Sequence, residues 1–160
     1  MANAYTDFAT LQLAARTDIS QAPNHKQYGG NVKQIDVKIS SYTAATSTPL
    51  YLARLPAGAR LLTNLCSVDY TDPGDALTGS IGYYTADTDT PALVDVDYFG
   101  TALALGNAAG RKNFTEAGTI GDALLTPVTF PYDVWIVVTW TTVTAAASHS
   151  QNWHLVYSLA

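Results

Sequence analysis

The sequence predicts an all-β protein, an antiparallel β-sandwich or jelly roll preceded by an extended N-terminal arm. Three observations lead there. Short runs rich in Val, Ile, Leu, Tyr and Trp recur about every ten residues, the spacing of a sandwich. Clusters of Gly, Pro, Asn and Asp separate these runs and supply the dihedrals that turns require. No stretch holds a 3.6-residue apolar period long enough for a stable helix. A chain of 160 residues is one domain by the usual size rule, and on folding it removes roughly 70% of its surface from water, enough for a core without disulfide staples. The division expected is an arm over residues 1–31 and a sandwich over 32–160.

The arm differs from the rest. Residues 21–31 are rich in breakers, yet Tyr5, Phe8, Leu11, Leu13 and Ile19 are too apolar to be left in water without cost. They are the candidate binding residues. Such a segment docks on the domain's own surface or on a neighbouring subunit, and the cost of ordering it favours a partner that supplies the surface.

The alternation in residues 34–43 is regular, with Ile35, Val37 and Ile39 on one face and Asp36, Lys38 and Ser40 on the other, a half-exposed strand. Residues 50–55 and 60–70 read as two strands paired in a hairpin about Pro56-Ala57-Gly58, with Pro56 presetting φ and Gly58 able to take φ > 0. The second has Leu61, Leu65 and Ser67 on one side and Leu62, Cys66 and Val68 on the other, which suits a strand inside a packed sheet. Residues 71–75, TDPGD, are a turn. The strand over 77–84 carries Gly79 and Gly82, a mark of a bulge or of another backbone passing close. A strand is expected over 92–99, one or two helical turns in the Ala-rich 101–110, and an edge or irregular strand over 124–130 because of Pro127. The strands over 133–142 and 153–159 have the strongest β composition. The first is apolar on both faces and belongs at a sheet centre. Leu61, Leu65, Val134, Ile136, Val138 and Trp140 form the expected core, with Leu65→Ala costing about 2–5 kcal/mol.

Composition narrows the function. Net charge is −5 and only 13% of residues are charged, so there is no Lys/Arg cluster for a phosphate backbone and nucleic acid is not an expected partner. No window approaches the length of a membrane span, and the first twenty residues lack the basic and apolar regions of a secretory signal. A soluble protein folding in the cytoplasm of its host cell is expected. Cys66 is alone and reads as a small buried hydrophobe.

Candidates for chemistry are sparse. Asp69, Asp72, Asp75, Asp87, Asp89, Asp95 and Asp97 crowd one third of the chain, but without the spacing of a calcium loop they read as turn-forming and solubilising. His25, His149 and His154 lack the pair spacing of a zinc site and read as polar surface. Ser148-His149-Ser150 is a loop tripeptide without an orienting acid. Glu116 is the sole glutamate, so a glycosidase would have to pair it with an Asp, or pair two Asp. Tyr83, Tyr84, Tyr98, Trp140 and Trp153 could form a sugar-stacking platform, although aromatic residues in strands more often pack cores. No catalytic, metal or cofactor site emerges.

The run LYLARLPAGARLL, the strand ending in VDY, LTGSIGYYTADTDTPALVDVDYFGTALALG, and VWIVVTWTTVTA resemble the small β-sandwich proteins found in the structural gene clusters of tailed bacteriophages. The resemblance spans residues 34–145, and its most specific part is the Leu-Pro-Ala-Gly-Ala turn followed by a glycine-bearing strand and an Asp-rich loop. It implies a non-enzymatic capsid decoration or cement protein on the outer surface of the virion head, with the major capsid protein and its own copies, as a homotrimer, as partners. The alternative is a receptor- or glycan-binding module of a tail fibre.

Overall fold

The structure is a computed structural model and describes residues 4–5, 32–74, 77–86, 90–106, 108–120, 128–143 and 148–159. Its strands are β1 (Ala4–Tyr5), β2 (Val32–Tyr42), β3 (Pro49–Leu55), β4 (Ala59–Leu61), β5 (Ser67–Tyr70), β6 (Leu77–Thr85), β7 (Leu93–Leu105), β8 (Gly110–Asn113), β9 (Thr119–Ile120), β10 (Val134–Val143) and β11 (His149–Leu159). They form two sheets. The first has the order β1-β3-β10-β6-β7-β9; the second runs β2-β11-β5-β8, with β4 also pairing β11. All pairs are antiparallel except β1 with β3, which are parallel. The all-β sandwich is therefore as the sequence predicts.

The two strands of strongest β composition sit at the sheet centres, since they bury most apolar surface there. Val134, Ile136, Val138 and Trp140 of β10 face Trp153, Leu155 and Tyr157 of β11 across one core, all at 1% exposure or less. Ile35 and Val37 of β2 join it, while Asp36 and Lys38 face outward. Cys66 is fully buried. Its thiol lies 3.3 Å from the Leu62 carbonyl and accepts from the Val156 amide, and burial pushes its pKa up to about 12, so it is an inert packing group.

Three expectations are corrected. The Pro56-Ala57-Gly58 turn is not a hairpin: β3 pairs β1 and β10 in the first sheet, whereas β4 pairs β11 in the second. It is a corner that carries the chain between sheets. Gly58 adopts φ +81, the Ala59 amide closes the turn onto the Pro56 carbonyl, the Gly58 amide donates to the Phe130 carbonyl, and the Phe130 amide donates to the Ala59 carbonyl. The two apolar runs thus meet across the core, a separation their composition does not distinguish from pairing.

Leu65 is not in the core but 55% exposed. β4 and β5 pair different stretches of β11, 157–159 and 151–154, and the slack between them folds into a single 3-10 turn over Thr63–Leu65 that aims Thr63 inward and Leu65 outward. Leu65→Ala should accordingly change stability by no more than about 0.5 kcal/mol, measurable by urea denaturation; a loss above about 2 kcal/mol would restore the buried assignment.

The Ala-rich 101–110 is not helical. β7 continues to Leu105, with Leu103 and Leu105 inward at 0% exposure and Ala104 outward. Period two wins because the pairing of 103–105 with β6 outweighs the weak helix preference of alanine. Of the expected strand over 124–130, residues 128–130 are irregular and 124–127 lie outside the described residues.

Candidate functional site

The outward face of the second sheet carries a row of charges, one from each of four adjacent strands. Alternation along β2, β11, β5 and β8 turns Asp36, His154, Asp69 and Arg111 away from the core. The strand order then aligns them. His154 Nδ1 lies 2.6 Å from Asp36 Oδ1 and His154 Nε2 lies 2.9 Å from Asp69 Oδ2. Arg111 grips Asp69 with two donors, Nε at 2.5 Å and Nη2 at 2.7 Å. Such a planar fork is the strongest form of the pair.

With a carboxylate at each ring nitrogen, the protonated ring can donate from both nitrogens, so the arrangement favours the imidazolium. Partial burial opposes that charge, but the hydrogen bonds to Asp69 and Asp36 and their negative charges outweigh it and raise the His154 pKa. Arg111, and to a lesser extent His154, hold the Asp69 carboxyl well below the usual carboxylate range. The signs follow. The His154 contribution is fully present below its unfolded pKa of about 6.5 and is lost as pH rises through the raised folded value; that of Asp69 is present above about 3.9 and is lost only as pH falls through its lowered folded value. His154→Gln should therefore lower stability by about 1–2 kcal/mol near pH 6, with the difference shrinking toward pH 9. Paired thermal melts across that range check it, and a difference independent of pH would refute the imidazolium.

Beside the row an open groove of about 210 Å³ is lined by Lys38, Asp69, Tyr70, Thr71, Ser150, Gln151 and Asn152. Beneath it a buried polar chain runs along β11: Trp153 Nε1 donates to Gln151 Oε1 at 2.8 Å, and Gln151 Nε2 lies 2.7 Å from His149 Nε2. These groups satisfy one another inside the core, as buried polar atoms must.

His149 is not the polar surface expected from the sequence, being 3% exposed, whereas His154 does stand on the outward face, tied to a carboxylate on the strand at either side. The sequence signal was the alternation placing Asp36, Asp69 and His154 outward, but only strand order reveals that they meet. The row does not converge on a metal, because the two ring nitrogens point to different carboxylates, and no group of three or more His, Cys, Asp or Glu suited to a metal occurs among the described residues. Asp72 accepts from the Gly74 amide and Asp95 from the Asp97 amide, the turn-forming role expected of them. Asp75, Asp87, Asp89 and His25 lie outside the described residues. Glu116 closes a capping box with Asn113 and pairs Lys112.

The sugar platform dissolves, because Trp140 and Trp153 are wholly in the core. Tyr83 packs inward with Tyr98, Phe99 and Phe130, whereas Tyr84 stands on the opposite face against Tyr51. Phe8, Leu11, Leu13 and Ile19 lie outside the described residues; the backbone of Tyr5 pairs with Tyr51.

No protein-family model matches the sequence, and no curated protein matches it significantly. Among solved structures, a chain from the capsid of Ralstonia phage GP4 superposes with a TM-score of 0.68 at 18% identity, covering 99% of each chain. Chains from the acidic stable capsid of Helicobacter pylori bacteriophage KHP30 (TM-score 0.45, 12% identity, 81% of this chain and 89% of that one) and from the cyanophage Pam1 capsid asymmetric unit (0.47, 18%, 87% and 91%) match less well. The chain shares its fold, over nearly its whole length, with a protein from a bacteriophage capsid.

Proposed function

We propose that this chain is a non-enzymatic structural protein of a bacteriophage virion, a decoration or cement protein that binds the outer surface of the head and fastens neighbouring capsomers of the major capsid protein. The observation that carries the reading is the correspondence with the chain from the Ralstonia phage GP4 capsid, which extends over 99% of both chains. The described surface agrees with it. It is sparsely charged, its carboxylates make turns and strand-to-strand ties, and its large aromatics fill the interior.

The physical action is mass action: a protein that binds only the assembled shell stabilises it by the free energy of that binding. Self-association as a homotrimer at three-fold lattice positions belongs to the same reading. The outward apolar residues of β10, Trp135 and Val137, are already buried within the chain, and β11 is flanked on both sides. Leu93, Val94 and Val96 at the start of β7 offer the longest run of exposed large hydrophobics among the described residues and are the surface assigned to it. Sedimentation should show a trimer at micromolar concentration; a monomer in solution with no three-fold contact on the particle removes this part.

The test of the function is to separate heads from tails of the parent particle, quantify the chain in each, and locate it by electron microscopy. High copy number on the outer head surface is the expected result. Low copy in the tail fraction would turn the assignment to the receptor- or glycan-binding fibre module.

A further inference from the structure

We propose that the outer edge of β2 is a pairing surface for a second copy of this chain, which joins the second sheets of two molecules as an antiparallel β2–β2 pair about a two-fold axis at Val37. Among the described residues β2 is the longest strand at a sheet edge, eleven residues against four in β8 and two each in β1 and β9. Its described partner is β11 alone, so along residues 34–39 every second backbone N–H and C=O is directed away from the sheet, with no described strand to receive it. Edges of this kind are closed to other strands by proline or by a bulge. β2 has no proline, and its bulge, where Ser41 takes φ 56, begins only after Ile39.

The side chains say what fits there. Asp36 and Lys38 stand two residues apart on the exposed face. Asp36 is engaged through Oδ1, which accepts from Gln34 Nε2 at 2.8 Å and lies 2.6 Å from His154 Nδ1; Oδ2 takes no partner among the described residues, and the side chain is 56% exposed. Lys38 makes no ion pair among the described residues. In the antiparallel register centred on Val37, Asp36 of each copy lies directly opposite Lys38 of the other, giving two symmetry-related ion pairs, while Ile35 comes opposite Ile39 on the inner face. Moving the centre to Asp36 or to Lys38 sets like charges opposite each other, and a slip by one residue sets the charged face of one copy against the apolar face of the other. The charges thus select one register, and β2 is complementary to itself in it. So short a ladder is far below a standard interface, which makes the contact transient. It forms where copies are concentrated, and it is independent of the trimer and of the chain's place on the virion.

Heteronuclear spectra of the labelled full chain between about 0.05 and 1 mM, the range of a transient contact, test it. The amide signals of residues 34–39 should shift with concentration, and a half-labelled sample should give intermolecular Overhauser contacts across Val37. Asp36→Lys and Lys38→Asp, each alone, set like charges opposite each other and should weaken association about tenfold or more. An equimolar mixture of the two variants restores opposite charges at both positions and should associate as tightly as the parent. Concentration-independent signals in the parent, association untouched by either substitution, or a mixture no tighter than its components would overturn the proposal. If Asp36→Lys, which also removes the carboxylate at His154 Nδ1, does not fold, the Overhauser contacts of the parent decide: contacts between residues 36 and 38 of different copies support the pairing, and their absence at 1 mM sinks it.

Discussion

Gly82→Ala should leave little folded protein. A Cβ at this position would lie 2.0 Å from the Asp95 carbonyl oxygen and 2.5 Å from the Val96 carbonyl carbon. Both are backbone atoms, so no side chain can swing aside. The register explains the crowding: Ile81 pairs with Gly100 but Tyr83 pairs with Asp95, so β7 advances five residues (100 − 95) while β6 advances two (83 − 81). The surplus brings the β7 backbone against Gly82. Relieving the overlap means moving β7 off its neighbour, at a cost of about 3–5 kcal/mol or more, a large share of the 5–15 kcal/mol that typically stabilises a domain. Gly106→Ala is the matched control, with its nearest neighbour, the Tyr70 hydroxyl, at an ordinary 3.8 Å. Soluble yield and urea midpoints of the two variants make the comparison, and a Gly82→Ala protein within about 1 kcal/mol of the parent would refute the close approach.

Trp153→Ala is expected to rank next, at about 3–5 kcal/mol for the cavity alone. The indole is fully buried in edge contact with Phe114 at 6.0 Å. Its loss also removes the donor to Gln151 Oε1, which is itself 1% exposed and engaged with His149 on its other side. Leaving that oxygen unpaired adds roughly 1–3 kcal/mol. Trp153→Phe keeps most of the volume but not the N–H, so the difference between the two variants in calorimetric melts separates packing from hydrogen bonding. Equal losses would mean that the hydrogen bond dominates; a loss below about 2 kcal/mol for alanine would mean that the site collapses around the gap.

Much of the fold was legible because side-chain period in a strand is a local property. Ile35, Val37 and Ile39 could be assigned to one face of β2, and the doubly apolar 133–142 to a sheet centre, without knowing any neighbour. Gly79 and Gly82 likewise pointed to close packing, and a Cβ on either would collide, on Gly79 with the Trp140 ring. Leu65 was misplaced for the opposite reason. Whether residues 60–70 form one strand or two depends on where β11 has vacant hydrogen-bonding edge, and nothing within that run encodes it. The Ala-rich 101–110 fell to the same effect, since β6 was already present to pair with it.

The candidate site divides along the same line. That Asp36 would face water follows from the alternation of residues 34–43 taken by itself. That Asp36, His154, Asp69 and Arg111 stand in one row, with an imidazole between two carboxylates, was decided by strand order, because residues 36, 69, 111 and 154 come together only when β2, β11, β5 and β8 lie side by side. The turn chemistry of Pro56 and Gly58 is likewise written locally, but its meaning, a corner between sheets instead of a hairpin, was settled by which edge of β11 and which edge of β10 remained to be filled. Secondary structure and facing are set by short-range sterics and periodicity, which the amino-acid sequence states directly. Partners are set by competition among all the strands for hydrogen-bonding edges and buried area, and that competition is resolved only in the folded molecule.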